Sequence, residues 1–296
     1  MSIFGQASVR RLIRLALEED VGRGDVTTAA TVGAAVEAVG TIVARHPVVV
    51  AGLPIVPVIV EEAGIGATRF EARCDEGMAV GSETVIGELR GKACGLLTIE
   101  RVTLNFLQRM CGVATLTRRY VEAVAGSKTS IVDTRKTIPG WRLLDKYAVA
   151  AGGGVNHRFG LDDGVLIKDN HIVACGGIRA AIERARAKAP HLLKIEVECE
   201  SLAEVDEALG VGVDAILLDN MTPADLRAAV GRIAGRALVE ASGGITLETV
   251  REVAKTGVDL ISVGALTHSA AAADLALDLA LENGDTQLFR IPRRKR

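Results

Sequence analysis

The chain has 296 residues, a formal net charge of −2, and is 49% hydrophobic and 24% charged. That is enough chain for one or two globular domains, and the balance excludes a disordered chain and a generally basic nucleic-acid binder. An aromatic share of 3% argues against a platform for stacking bases.

Residues 7–20 predict an amphipathic helix with Leu12, Ile13, Leu15, Ala16 and Leu17 near one side. VGRGDVTT (21–28) reads as a turn. Alternating segments near 36–45, 68–74 and 84–89 predict strands, and 51–64 a short helix started near Pro54. Residues 94–125 predict one or two long helices with a joint at Gly112. Residues 1–112 thus form an N-terminal α+β domain. The most apolar run, 47–60, is broken by Gly52, Pro54 and Pro57 and predicts no membrane span. The N-terminus lacks the apolar core of a signal peptide. Cys74, Cys94, Cys111, Cys175 and Cys199 are odd in number and widely spaced, as expected of reduced thiols in a cytoplasmic protein. No nucleic-acid or membrane partner is expected.

The second half repeats a rhythm. Apolar runs at 130–134, 165–169, 194–198, 215–219, 237–242 and 260–264 end in polar residues or glycine, and helical stretches lie between them. The spacing suits βα units. Ser201 and Glu204 form a capping box, Pro223 suits a first helical turn, and Gly257 ends a helix. Parallel strands with crossover helices give a doubly wound sheet or a (β/α) barrel. The polar strand ends, and the lack of GxGxxG after the first strand, favour a barrel over 113–270. A C-terminal helix and basic tail, 271–296, can return to the N-terminal domain.

Alternation in KIEVE places Lys194, Glu196 and Glu198 on one face. The three could form an internal ion-pair ladder, or Glu198 could serve a ligand beside Asp219, which ends the next strand. Two carboxylates at a barrel mouth suit Mg²⁺ or a ribose diol. DTRKT, GGGVNHRFGLDD and LIKDNH bring Arg135, Lys136, His157, Arg158, Lys168 and His171 toward one rim, and the glycines at 152–154 allow close backbone approach. Such a cluster implies a small polyanion. The loops ASGGI (241–245) and SVGALTHS (262–269) suit a phosphate at the last strands of a barrel.

The segments GDVTT, ERVTLNFLQRMCGVAT, DTRKTIPG, KYAVAAGGGVNHRFGL, LIKDNHI, EVE, LLDNM and EASGGI resemble, in order, those of the quinolinate phosphoribosyltransferases. The resemblance implies an N-terminal α/β sandwich and an incomplete barrel of about seven strands. It implies that quinolinate and 5-phosphoribosyl 1-diphosphate react, with Mg²⁺, to nicotinate mononucleotide, diphosphate and CO₂ in de novo NAD synthesis. It also implies a homodimer or larger oligomer in which a neighbour's N-terminal domain lends an arginine, here Arg101. By motif, Arg135, His157, Arg158 and Lys168 would bind the quinolinate carboxylates. Lys136, Glu198 and Asp219 would serve the sugar diphosphate, with Glu198 and Asp219 at the metal. Ser242, Gly243, Gly244 and Gly264 would cup the 5-phosphate. Lys136, Lys168, Glu198 and Asp219 are the expected catalytic groups. A Schiff-base aldolase using Lys136 or Lys168, a transport-linked paralogue and a non-catalytic phosphate-binding protein remain as alternatives.

Overall fold

In the computed structural model, which describes residues 3–282, the described chain forms two compact units, 3–112 with 271–282, and 113–270.

The first unit begins with α1 (Ala7–Val21), whose Val9, Ile13 and Leu17 recur every four residues and are buried. Leu15 falls outside that stripe and is 56% exposed, contrary to the sequence reading. The expected turn at 21–28 ends early, because the Asp25 side chain accepts from Thr28 N at 2.9 Å and caps α2 (Val26–Thr31). Then follow β1 (Glu37–Ala44), β2 (Val48–Val49), α3 (Ile55–Glu62), β3 (Arg69–Ala72), β4 (Ala79–Val80) and β5 (Thr84–Lys92). Helix α4 (Ala93–Ala123) is continuous; Gly112 does not interrupt it.

The second unit contains β6 (Ser130–Val132), α5 (Arg142–Ala151), β7 (Val165–Ile167), α6 (Asp169–Cys175), α7 (Ile178–Lys188), β8 (Ile195–Cys199), α8 (Leu202–Val211), β9 (Ala215–Asp219), α9 (Pro223–Ile233), β10 (Leu238–Ser242), α10 (Val250–Ala254), β11 (Leu260–Ser262) and α11 (Ala265–His268). Its strands are all parallel, in the order β6-β11-β10-β9-β8-β7. The barrel is open, with β6 and β7 as edges. Val155 makes a single parallel bridge to Val132, so the segment before His157 runs beside β6 as a rudimentary seventh strand. Ser201 and Glu204 form the expected capping box of α8, and Pro223 opens α9. The glycines at 152–154 do allow close approach, but toward α4: a Cβ on Gly152 would lie 2.5 Å from Ala114 O, and one on Gly154 2.8 Å from Thr117 Cγ2.

The chain then contributes β12 (Leu275–Leu281), antiparallel to β1, to a sheet ordered β12-β1-β5-β3. A strand therefore stands where a C-terminal helix was expected; all seven residues of LALDLAL pair in register with β1, and Gly40 leaves room for Leu277, 3.1 Å from where its Cβ would be. The basic tail at 290–296 lies outside the described residues. Among those described, no helix is long and apolar enough to cross a membrane, and the five cysteines are unbridged.

Candidate active site

Register decides which side chains meet. In β8, Ile195, Val197 and Cys199 are buried, whereas Glu196 and Glu198 are only half-buried on the alternate face. Ser242 pairs with Asp219 in the β9–β10 ladder, so neighbouring strands end at one level. Their ends, with the loops beyond them, enclose a cavity of about 630 Å³. Its walls include Arg135, Lys136, His157, Arg158, Lys168, Glu198, Asp219, Ser242, Gly243, Gly244 and Gly264. These eleven sequence-predicted residues of the second unit are therefore brought together.

Two do not join them. His171 accepts from Lys168 N through Nδ1 at 2.9 Å and completes the capping box of α6, so it is no part of the cationic rim. Lys194 precedes β8 and is exposed; no ladder forms with the glutamates, which pair elsewhere. Arg101 belongs to the first unit, where it is exposed on α4.

One wall is cationic. Arg135 Nε is buried without a hydrogen-bond partner. Arg158 donates to Gly164 O at 2.9 Å. Burial, and then the charge of Arg135, push the Arg158 guanidinium below its usual value. An anion placed here would relieve both the repulsion and the orphaned donor. Lys168 Nζ reaches Glu198 Oε2 at 2.5 Å.

Below, His157 and Glu196, both named from sequence, meet Glu240, which was not. Glu196 Oε2 is 3.1 Å and Glu240 Oε2 3.7 Å from His157 Nε2. Arg158 N donates to His157 Nδ1 at 2.7 Å, which sets the ring proton on Nε2. Hydrogen bonding to Glu196 foremost raises the proton affinity of His157. Burial and Glu196 push Glu240 up to about 7. Period-two alternation back from Ser242 would have found Glu240.

Around the glycine loops, Asn220 takes a left-handed φ of 53° and donates from Nδ2 to Asp219 Oδ2 at 2.6 Å. Gly243 has φ 96°, and a Cβ there would strike the Asn220 side chain, so this turn requires glycine. Gly264 faces Lys136, whose Cδ would lie 3.1 Å from a Cβ. Thr267 Oγ1 donates to Lys136 O at 2.9 Å, joining the loops after β6 and β11. Thr246 also lines the cavity and was not singled out from sequence; Ser262 and His268 line it from the SVGALTHS loop, where neither was named singly.

An open parallel barrel with glycine loops, paired carboxylates and a cationic wall at its C-terminal mouth defines an enzyme class that handles phosphorylated and acidic small molecules. Comparison narrows this. The quinolinate phosphoribosyl transferase C-terminal domain matches residues 113–278 and the N-terminal domain residues 25–111, and the chain belongs to that family. It is 45% identical to the nicotinate-nucleotide pyrophosphorylase [carboxylating] of Mycobacterium leprae, over 92% of this chain and 97% of that one. Identity to the probable Bacillus subtilis enzyme of the same name is 42%, over 93% and 94%. The crystal structure of NadC from Streptococcus pyogenes superposes with a TM-score of 0.89 at 39% identity, covering 92% of this chain and 96% of that one.

Proposed function

We propose that the protein transfers the phosphoribosyl group of 5-phosphoribosyl 1-diphosphate to quinolinate, giving nicotinate mononucleotide, diphosphate and CO₂ for NAD synthesis. The observation that carries this is the Arg135–Arg158 wall, two repelling guanidinium groups with an unmet donor, in one cavity with Glu198, Asp219 and the 242–244 loop. Quinolinate offers two adjacent carboxylates, each able to accept paired hydrogen bonds from an arginine. The family match and the names of the relatives support the same reaction.

The residues divide by charge. Arg135, Arg158 and Lys168 hold the dicarboxylate. Both ring nitrogens of His157 are already engaged, Nε2 by Glu196 and Nδ1 by the Arg158 amide, so its part is to fix the backbone that carries Arg158. Ser242, Gly243, Gly244 and Gly264 offer backbone N–H groups and space for the 5-phosphate. As the pyridine nitrogen attacks the anomeric carbon, positive charge grows on the ribose and negative charge on the diphosphate. Glu198 and Asp219 oppose the first, Lys136 the second. Once the ring nitrogen is ribosylated, its positive charge stabilises the carbanion left at C2 by CO₂ loss. Lys168 stands at the dicarboxylate and can return the proton.

Magnesium fits the donor set. Glu198 and Asp219 supply hard oxygens, and one oxygen of each is already held, by Lys168 and by Asn220. Such a pair suits an ion that takes its remaining oxygens from diphosphate and water. When bound, the ion neutralises the leaving group.

We further propose a homodimer or larger assembly in which Arg101 of a neighbouring subunit completes each site, and a cytoplasmic location, in keeping with five free cysteines. The test of the reaction is release of labelled CO₂ from carboxyl-labelled quinolinate. Release should require both the sugar diphosphate and Mg²⁺; release without the sugar, or none with both, rejects the assignment.

A further inference from the structure

The pair Asp133–Lys146 lies behind the site rather than in it. Both side chains are 0% exposed, and neither lines the cavity. Asp133 directly follows β6, and Lys146 comes from the middle of α5. A buried charge pair is no gain over an apolar pair of similar size unless its remaining hydrogen bonds are used. Here they all reach one segment. Lys146 Nζ pairs with Asp133 Oδ1 and donates to His157 O at 2.9 Å. It also lies 5.0 Å from the Phe159 ring centroid. Asp133 Oδ1 accepts from His157 N at 2.9 Å. In the orientation its neighbours require, the Asn156 amide donates to Asp133 Oδ2 at 2.7 Å and to Lys146 O at 2.9 Å.

Residues 156–159 are thus held by backbone N–H, backbone C=O, an amide side chain and a ring, all from two charges. Every donor of that set serves the stretch that carries His157 and Arg158. Burial pushes the Asp133 carboxyl up and the Lys146 ammonium down, and each partly opposes that displacement in the other. Arg142 links the same stretch to the loop after β6, donating to Phe159 O at 3.1 Å and Thr137 Oγ1 at 3.2 Å.

We infer that the buried Asp133–Lys146 pair is a positioning device for the dicarboxylate wall: it sets the backbone of 156–159, and so the Arg158 guanidinium against Arg135, without touching substrate. The inference rests on the assignment of Arg135 and Arg158 to quinolinate. A displacement of about 1 Å in such a clamp costs about 10²-fold in rate.

The experiment compares the full-length variants Lys146→Met, Asp133→Asn and the neutral double variant with Arg158→Ala, measuring both KM values, kcat and thermal midpoint. A folded pair variant should raise the quinolinate KM at least about tenfold, with the sugar-diphosphate KM within about twofold. Asp133→Asn, which keeps an acceptor for the His157 amide, should do so least. Equal changes in both KM values, or none, in a folded variant overturn the inference. So does failure of all three variants to fold, since the pair would then serve the fold alone. If Arg158→Ala itself shows no selective loss for quinolinate, the site assignment falls instead. If Arg158→Ala shows it and the folded pair variants do not, only the positioning role falls.

Discussion

Both sheets carry charge on one face, but they treat it differently. In the first unit the charged face is neutralised across the ladder. Arg73 meets Glu88 at 2.9 Å, Arg45 meets Asp278 at 2.7 Å and Lys92 meets Glu37 at 2.6 Å. Arg45 also keeps a buried Nε without an acceptor, but its other nitrogens meet Glu83 and Asp278. In the second unit Arg135 has a like orphaned Nε inside the cavity, and its charge crowds Arg158 there. The Lys92–Glu37 pair, exposed on both sides, contributes about 0–1 kcal/mol. An unmatched set inside a cavity is a demand for a ligand. Charge alternation alone therefore marks no site; the mismatch does.

The sharpest way to break that contrast is to remove charge from each face. Asp219→Ala should lower kcat/KM by ~10²–10³-fold, on the scale of removing one group that meets developing charge, with little change in thermal midpoint. Lys92→Ala in the first unit should leave steady-state kinetics unchanged. Comparable losses from both would erase the distinction. Next in size, Arg135→Ala should raise the quinolinate KM by about 10–100-fold, as for a charge-assisted hydrogen bond lost. The sugar-diphosphate KM should hardly move. Nicotinate, with one carboxylate fewer, should be a poor substrate for the unaltered enzyme; efficient turnover of it would show that the cationic wall is not matched to a dianion.

Subunit sharing can be tested with the same variants. Arg101→Ala and Asp219→Ala, each strongly impaired alone, should regain part of the activity when mixed and allowed to exchange. No recovery in verified mixed dimers would place each site within one chain.

The same contrast explains what sequence could reveal. The barrel strands were legible because each apolar run ends in a polar residue at a βα junction, and Glu196 and Glu198 share a face of β8 as read, though Lys194 lies outside the strand. The cavity lining was legible in DTRKT, GGGVNHR and LIKDNH because those loops follow successive strands. What escaped depends on three-dimensional partners. His171 looked like one more rim cation, but its ring is turned back onto the Lys168 amide. Lys146 sat in an ordinary helical stretch, and nothing local announces that its ammonium ends inside the protein beside Asp133. The C-terminal strand was missed because LALDLAL has no turn signal, and its strand character comes from β1 across 200-odd residues of intervening chain, as in the pairing of Gly40 with Leu279.

A smaller effect concerns packing on the faces turned away from charge. Ile42→Val in β1 and Ile195→Val in β8 should each cost about 0.5–1.5 kcal/mol of stability, read by denaturant unfolding, with kinetics unchanged. Both side chains are buried, so the two sheets should respond alike here even though their charged faces do not. A kinetic defect in Ile195→Val alone would mean that the outer face of β8 also tunes the site.

The smallest expected effect is in pH dependence. Glu240 faces His157 from the segment beside β6, Glu196 from β8, Lys168 from the end of β7 and the Ser262 hydroxyl from β11. Burial and Glu196 raise its carboxyl from 4.5 to about 7, against the pull of His157, Ser262 and Lys168. A carboxyl raised on folding binds its proton more tightly in the folded state, so its contribution favours the fold at low pH and is lost as pH rises from about 4.5 through about 7. His157 is displaced upward in part by the same glutamate, so its contribution has the same sign. Glu240→Gln removes the first contribution and weakens the second. The thermal midpoint of the unaltered protein should therefore fall more between pH 5 and pH 8 than that of Glu240→Gln, with Lys92→Ala tracking the unaltered protein. A variant that loses as much as its parent would show that Glu240 is already ionised in the fold, and that the inward face of the barrel tolerates its charge as readily as the water-facing ladder of the first unit does.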